Sequence, residues 1–143
     1  MVGARPATAA DDDAVAALRL LARRHLDEQR GGDQFARAEA ADEPGDATVV
    51  VGTIGDAVVG IASVVHRGTR ALLTELFTHP EARSVGVGHA MLGVVSDHAR
   101  AWGCTDLDSY ALPGDRDTKN FFESHAMKSR LLVVHRSLTE DPA

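Results

Sequence analysis

What this 143-residue chain has little of narrows its function before any motif does. A single cysteine, Cys104, rules out an internal disulfide. Its place at the start of an apparent strand suits a small packed side chain better than a catalytic thiol. Seven histidines are scattered with no His-x-x-x-His or Cys-x-x-Cys pair, so the spacing of a metal site is missing. No run of about 18 apolar residues occurs, and the first residues lack a charged-then-apolar leader. We therefore expect neither a membrane partner nor a secretory signal, and a cytoplasmic location. Basic charge is also short: 15 Lys and Arg against 21 Asp and Glu give a net charge of −6. That balance speaks against nucleic acid and mildly favours a cationic partner.

What is present, 44% apolar and 25% charged residues, is the make-up of one globular domain over residues 1–143. Val2 to Pro6 reads as a short edge strand, and Thr8 with Asp11 as a capping-box start to a helix. In that helix Val15, Leu18, Leu21, Ala22 and Leu26 recur at helical spacing, with Arg19, Arg23 and Arg24 largely between them, as far as Gly31-Gly32. Residues 33–47 are polar, with a short helix expected over Gln34 to Ala41 and a stop at Glu43-Pro44-Gly45-Asp46. Thr48 to Ile54 and Ala57 to His66 are β-branched runs around a Gly55-Asp56 hairpin turn, and a turn at Arg67-Gly68-Thr69 leads to a third strand, Arg70 to Thr78.

A helix from Gly86 to Trp102 buries Val87, Ala90, Met91, Val94, Val95 and His98, and Gly103 closes it. Trp102 reads as a packing residue. Asp106 to Ala111 is another strand, Pro113-Gly114 a turn, and Asp115 the cap of a short helix running to Glu123 or Ser124. Lys128 to Leu138 reads as a last strand, central in the sheet because Leu131 to Val134 is apolar on both faces. Antiparallel hairpins followed by crossovers through helices imply an α/β fold with a mixed antiparallel and parallel central sheet flanked by helices.

The stretch that points to chemistry is Arg83-Ser84-Val85-Gly86-Val87-Gly88, at a strand-to-helix junction. Glycines there let the backbone curl round an anion, and the helix start adds unpaired N–H groups and the positive end of its dipole. The Gly-Lys-Ser/Thr of a Walker loop is missing, and the dinucleotide fingerprint fails because Met91 stands where its third glycine would. Read from Glu75 to Leu92, the segment closely resembles the acyl-CoA-binding signature of the GNAT superfamily of N-acetyltransferases. That signature is a strand, a proline two residues past it, then Arg/Gln-x-x-Gly-x-Gly/Ala opening a helix. The resemblance covers about Thr48 to Leu138.

The resemblance implies the GNAT fold, acetyl-CoA as acyl donor with no metal, and a small-molecule or peptide amine as acceptor. Carried over residue by residue, the main chain of Phe77 and Thr78 would meet pantetheine, at the point where the strand splays from its parallel neighbour. The amides of Ser84, Val85, Gly86, Val87, Gly88 and His89 would cradle the pyrophosphate. The family favours a basic side chain at or near Ser84-Val85; here Arg83 supplies the nearby charge, or else pairs with Glu81 on the surface. The resemblance places residues 33–47 beside the acceptor cleft, so Glu39, Asp42, Glu43 and Asp46 form either an amine attractant or a solvated acidic face.

Aliphatic amines are protonated at neutral pH, so transfer requires a base. Glu75 is the expected one. Strand alternation puts Leu73, Glu75 and Phe77 on one face and Thr74, Leu76 and Thr78 on the other, and burial of Glu75 among apolar neighbours would raise its pKa. The competing role is a salt bridge or structural hydrogen bond. A late Asn-x-x-Ala-x-x-Phe-Tyr-Glu pattern, whose tyrosine protonates the leaving thiolate in many relatives, reads here Asp115-x-x-Thr118-x-x-Phe121-Phe122-Glu123. Phe122 keeps a ring that packs against the cofactor but donates no proton, which leaves water, Tyr110 or Ser124 for that step. Asn120 and Lys119 are further candidates for pantetheine or phosphate contact. A non-catalytic acyl-CoA sensor is the alternative function, and exposed strands leave room for a homodimer.

Overall fold

Valine-rich segments with both faces covered form the middle of a five-stranded sheet. The computed structural model describes residues 1–27, 47–111, 115–131, 134, 136 and 138–139. Its elements are β1 (Val2–Pro6), α1 (Asp12–Asp27), β2 (Thr48–Ile54), β3 (Ala57–Arg67), β4 (Arg70–Thr78), α2 (Val87–Ala101), β5 (Asp106–Ser109) and α3 (Arg116–Ser124). The strands stand in chain order, antiparallel from β1 to β4 and parallel between β4 and β5. This is the mixed sheet expected from the pattern. The hairpin turn puts Gly55 at φ 58°, and Gly103 ends the α2 segment at φ 80°, both in the left-handed region that glycine enters without steric cost.

Among the described residues α1 packs on one face of the sheet and α2 on the other. On one side α1 packs Val15 and Leu18 against Val51, Ile61 and Phe77, and on the other α2 packs Val87, Met91 and Val95 against Val50, Val64 and Leu73. The contact line of α2 runs through Val87, Met91, Val95 and Ala99 with Leu92 beside it. Leu92 and Ala99 therefore join the expected stripe, while Ala90, Val94 and His98 form its half-buried flank. The close approach of α2 depends on glycine: Gly52 and Gly60 are paired across β2 and β3. A Cβ on Gly52 would overlap Val87 Cγ1, and one on Gly60 would lie 2.8 Å from Met91 Cε.

A bulge at Thr74 resets the face of β4. Ser63 pairs with Glu75 and Val64 with Leu73, so Thr74 is the extra residue; its hydroxyl donates to the Ser63 carbonyl at 3.3 Å. Alternation is broken there. Leu73 and Leu76 therefore belong to the α2 side and Phe77 to the α1 side, which corrects the uninterrupted alternation that put Leu73 with Glu75 and Phe77.

Two expected strands also change. β5 ends at Ser109 instead of Ala111, because its pairing with β4 stops at Leu73. Among the described residues of 128–138 none is in a strand, and Leu131 and Val134 are 85% and 86% exposed. Apolar composition marks a segment suited to burial, but burial needs a surface to pack on, and these residues meet none. The helix end expected at Gly31-Gly32, the helix over Gln34 to Ala41, the acidic residues Glu39, Asp42, Glu43 and Asp46, the turn at Pro113-Gly114 and Leu132-Val133 lie outside the described residues.

At the sheet edge, Arg5 on β1 donates to both oxygens of Asp11, at 2.7 and 2.9 Å, and the Thr8 N–H donates to the same carboxylate at 2.8 Å. The Arg5 hydrogen bonds, then the Thr8 amide, hold this buried carboxyl well below the usual carboxylate range. A depressed carboxyl stabilises the fold fully above the unfolded-state value and loses that contribution as pH falls below it. Relative to Asp11→Asn, wild type is expected to keep a constant stability advantage above about pH 5 and to lose it progressively below about pH 4, read by urea unfolding across pH. Gly52→Ala is expected to cost about 1–3 kcal/mol by forcing α2 off the sheet, measured by denaturant midpoint.

Candidate functional site

The site begins where β4 and β5 part. Parallel pairing runs from Arg70 opposite Asp106 to Leu73 opposite Ser109, and the Ser109 hydroxyl closes it by donating to the Leu73 carbonyl at 2.8 Å. β4 continues to Thr78, so its last five residues, Thr74 to Thr78, have no described strand on that side. All five line a cavity of about 1000 Å³, at the upper end of the size usual for small-molecule sites.

β4 leads into a short turn, Pro80–Ala82, and then a loop with two left-handed residues, Ser84 at φ 67° and Gly86 at φ 98°. A serine at positive φ is uncommon, and such strain gathers at functional loops. Gly86 caps α2 and has no side chain to offer, so the first-turn amides of α2 face the loop without an intrahelical acceptor. Arg83 is not paired with Glu81. Its Nε donates to the Thr78 carbonyl at 3.1 Å and its guanidinium carbon lies 5.5 Å from the centre of the Phe77 ring, placing a fixed cation beside the loop.

Glu75 lies on the opposite part of the cavity wall. It is not the uncompensated buried acid expected from the sequence: its side chain is 26% exposed and Arg19 of α1 reaches it at 2.8 Å. The Ser63 hydroxyl donates to the same oxygen, Oε1, at 2.6 Å, and Arg19 Nε does so at 2.9 Å. Oε2 has no hydrogen-bond partner among the described residues. Arg19 stands one helical turn after the buried Val15, at the border of the apolar stripe, which is how its guanidinium reaches across to β4.

The third wall is α3. The Asp115 carboxylate caps it, accepting from the Thr118 N–H at 3.1 Å, and lies 3.7 Å from His25 of α1. Phe121 sits directly on Gly88, where a Cβ would be 3.0 Å from its ring. One turn later His125 lies against Phe121, ring centres 4.3 Å apart, and its Nε2 is 2.8 Å from Nδ1 of His89. α3 is thus fastened to the first turn of α2.

A cavity between parted parallel strands, bounded by a left-handed loop at a helix start and by a carboxylate, is suited to an elongated ligand with an anionic middle. The family model for the acetyltransferase (GNAT) family matches residues 13–127. The chain belongs to the GNAT family. Solved structures agree in fold. The aminoglycoside acetyltransferase AAC(6')-Iy, bound to a CoA-linked acetylneamine bisubstrate analogue, is 14% identical with a TM-score of 0.69, over 96% of this chain and 98% of that one. An aminoglycoside acetyltransferase from an uncultured soil metagenomic sample, in complex with trehalose, is 14% identical with a TM-score of 0.69, over 98% and 97%. A protein described as a transcriptional regulator from Bacillus halodurans is 18% identical with a TM-score of 0.68, over 96% and 100%. Among curated proteins none matches the sequence significantly.

For a GNAT chain, the residues singled out from sequence are gathered well. Glu75, Phe77, Thr78, Arg83, Ser84, Gly86, Val87, Gly88, His89, Asn120 and Phe122 all border the cavity. Val85 does not: its side chain is 53% exposed and points away from the lining. Of the groups weighed for thiolate protonation, Tyr110 lines the cavity, whereas the Ser124 hydroxyl is engaged with the Phe121 carbonyl at 2.7 Å. Lys119 lies outside the lining, 3.8 Å from Glu123. Sequence reasoning missed Arg19, Ser63, Phe121 and His125. Only Arg19, beside the helix stripe, and His125, four residues after Phe121, left a spacing that pointed to them.

Proposed function

We propose that this chain transfers an acetyl group from acetyl-CoA to a primary amine of a small molecule or peptide, with Glu75 as general base. The observation that carries the reading is the end of β4, beside which no described residue forms a strand after Leu73, opening into the left-handed loop with Glu75 on the same cavity. The main chain there is suited to the amide groups of pantetheine, with the Thr78 carbonyl already accepting from Arg83. The amides from Ser84 to His89, with Arg83 beside them, are suited to its diphosphate.

In this reading an amine enters beside Glu75, and the carboxylate takes its proton directly or through a water. Arg19 and Ser63 hold Oε1 and so orient Oε2 toward the cavity. The neutral nitrogen forms a bond to the thioester carbon, the carbon–sulfur bond breaks, and the electron pair leaves on sulfur. As the amide forms, the nitrogen loses its second proton, and Tyr110 or water relays that proton to the thiolate, since Phe122 has none to give. Holding amine and thioester together supplies most of the acceleration. The net charge of −6 favours a cationic acceptor, and the aminoglycoside acetyltransferases among the similar folds favour a small polyamine-like one. A non-catalytic acyl-CoA sensor is the second reading, favoured by Phe122, which is 8% exposed and carries no hydroxyl.

The deciding experiment is release of free CoA thiol from acetyl-CoA across an amine library that includes aminoglycosides. Turnover with at least one amine is expected; tight acetyl-CoA binding without turnover on the whole panel would favour the sensor. Gly86→Glu places charge and bulk at a left-handed position and is expected to abolish CoA binding in calorimetry, and unchanged affinity would remove the loop from the site. Glu75→Gln is expected to lower kcat by roughly 10²-fold or more with CoA affinity retained, and wild-type turnover would remove Glu75 as the base.

A further inference from the structure

The loop from Ser84 to Gly88 contains no basic side chain, yet a diphosphate brings negative charge that backbone amides and Arg83 meet only in part. His89 on the first turn of α2 and His125 at the end of α3 both lie on the cavity wall. Their hydrogen-bond pattern determines where protons sit. His125 Nδ1 is 2.8 Å from the Phe121 carbonyl oxygen, which only accepts, and 3.0 Å from Ser124 Oγ. The Ser124 hydroxyl uses its one hydrogen on that same carbonyl at 2.7 Å. His125 Nδ1 must therefore carry a hydrogen, and in the neutral ring its Nε2 accepts.

The 2.8 Å contact between the rings then requires His89 Nδ1 to be the donor. That leaves His89 Nε2 as the basic nitrogen of the pair, on an exposed residue. A proton added there breaks no hydrogen bond in the network and makes His89 a cation hydrogen-bonded to His125, which itself lies against the Phe121 ring. The amide ends of α2 and Arg83 oppose that charge while the loop is empty. Asp115 and Asp117 at the start of α3 favour it, His25 of α1 lies against Asp115, and Lys119 and Glu123 offset each other.

We propose that the His89–His125 pair is a proton-loaded anion clamp. It takes up one proton as a nucleotide diphosphate docks on the loop, supplying the positive charge that Ser84 and Val85 do not. The clamp rests on the CoA-binding reading above. Coupling is reciprocal, so the affinity for a diphosphate falls as pH rises.

Isothermal titration calorimetry with dephospho-CoA, which lacks the 3′-phosphate and keeps the diphosphate, tests it in two buffers of unlike ionisation enthalpy near pH 7. Wild type is expected to take up a fraction of a proton on binding and to lose about tenfold in affinity between pH 6 and pH 8. His89→Gln and, separately, His125→Gln are expected to bind without proton uptake and with a flat pH profile; pantetheine, lacking the diphosphate, is expected to give no uptake with wild type. Binding of dephospho-CoA to wild type without proton uptake, or with the same uptake in His89→Gln, overturns the clamp and leaves the CoA-binding reading standing. No binding of dephospho-CoA or CoA at any pH overturns both.

Discussion

The site depends on a strand pairing that stops early. β4 and β5 run parallel for four residues each and then separate at Leu73 and Ser109, where a serine hydroxyl takes the Leu73 carbonyl. Beyond this point no described residue forms a strand on that side of β4, and buried backbone groups must find a partner. A ligand carrying amides can provide one, which is the physical basis for reading the gap as the place for pantetheine. The bulge at Thr74 lies at the same point, so pairing ends where the strand also changes which side chains it turns to each helix.

The loop that follows is positioned by packing from behind. α2 rests on the paired glycines Gly52 and Gly60, with Val87 and Met91 filling the space that two Cβ atoms would take. Val87 therefore belongs to the core although it stands between the two glycines of the loop that opens α2. With α2 held in that way, the left-handed residues Ser84 and Gly86 set the path by which the loop enters the helix. Gly88 serves a different purpose, as the flat surface on which Phe121 and then His125 build the α3 wall.

Glu75 illustrates how one carboxylate can be structural and still present an oxygen to the cavity. One oxygen is saturated by Arg19 and Ser63, tying α1, β3 and β4 together. That leaves the other for the cavity. The salt bridge and the catalytic role, set against each other on the sequence alone, are compatible because a carboxylate has two oxygens.

The local order of the chain was legible without coordinates. Gly55-Asp56, the β-branched runs and the Asp115 cap announce themselves through short-range backbone preferences, and the loop before α2 does so through glycines at a strand-to-helix junction. Non-local choices were not legible. The bulge at Thr74 depends on how β3 meets β4, so alternation alone assigned Leu73 to the wrong face. Leu131 and Val134 read as core because composition reports an affinity for burial without reporting whether a surface is available. His125 meets His89 across 36 residues, a distance at which no periodicity operates. By itself the sequence determined the elements, the mixed sheet and the loop, because turn residues and hydrophobic spacing act within a few residues. Only tertiary structure decided the partner of Glu75, the parting of the strands and the histidine pair, because each is a contact between elements distant in the chain.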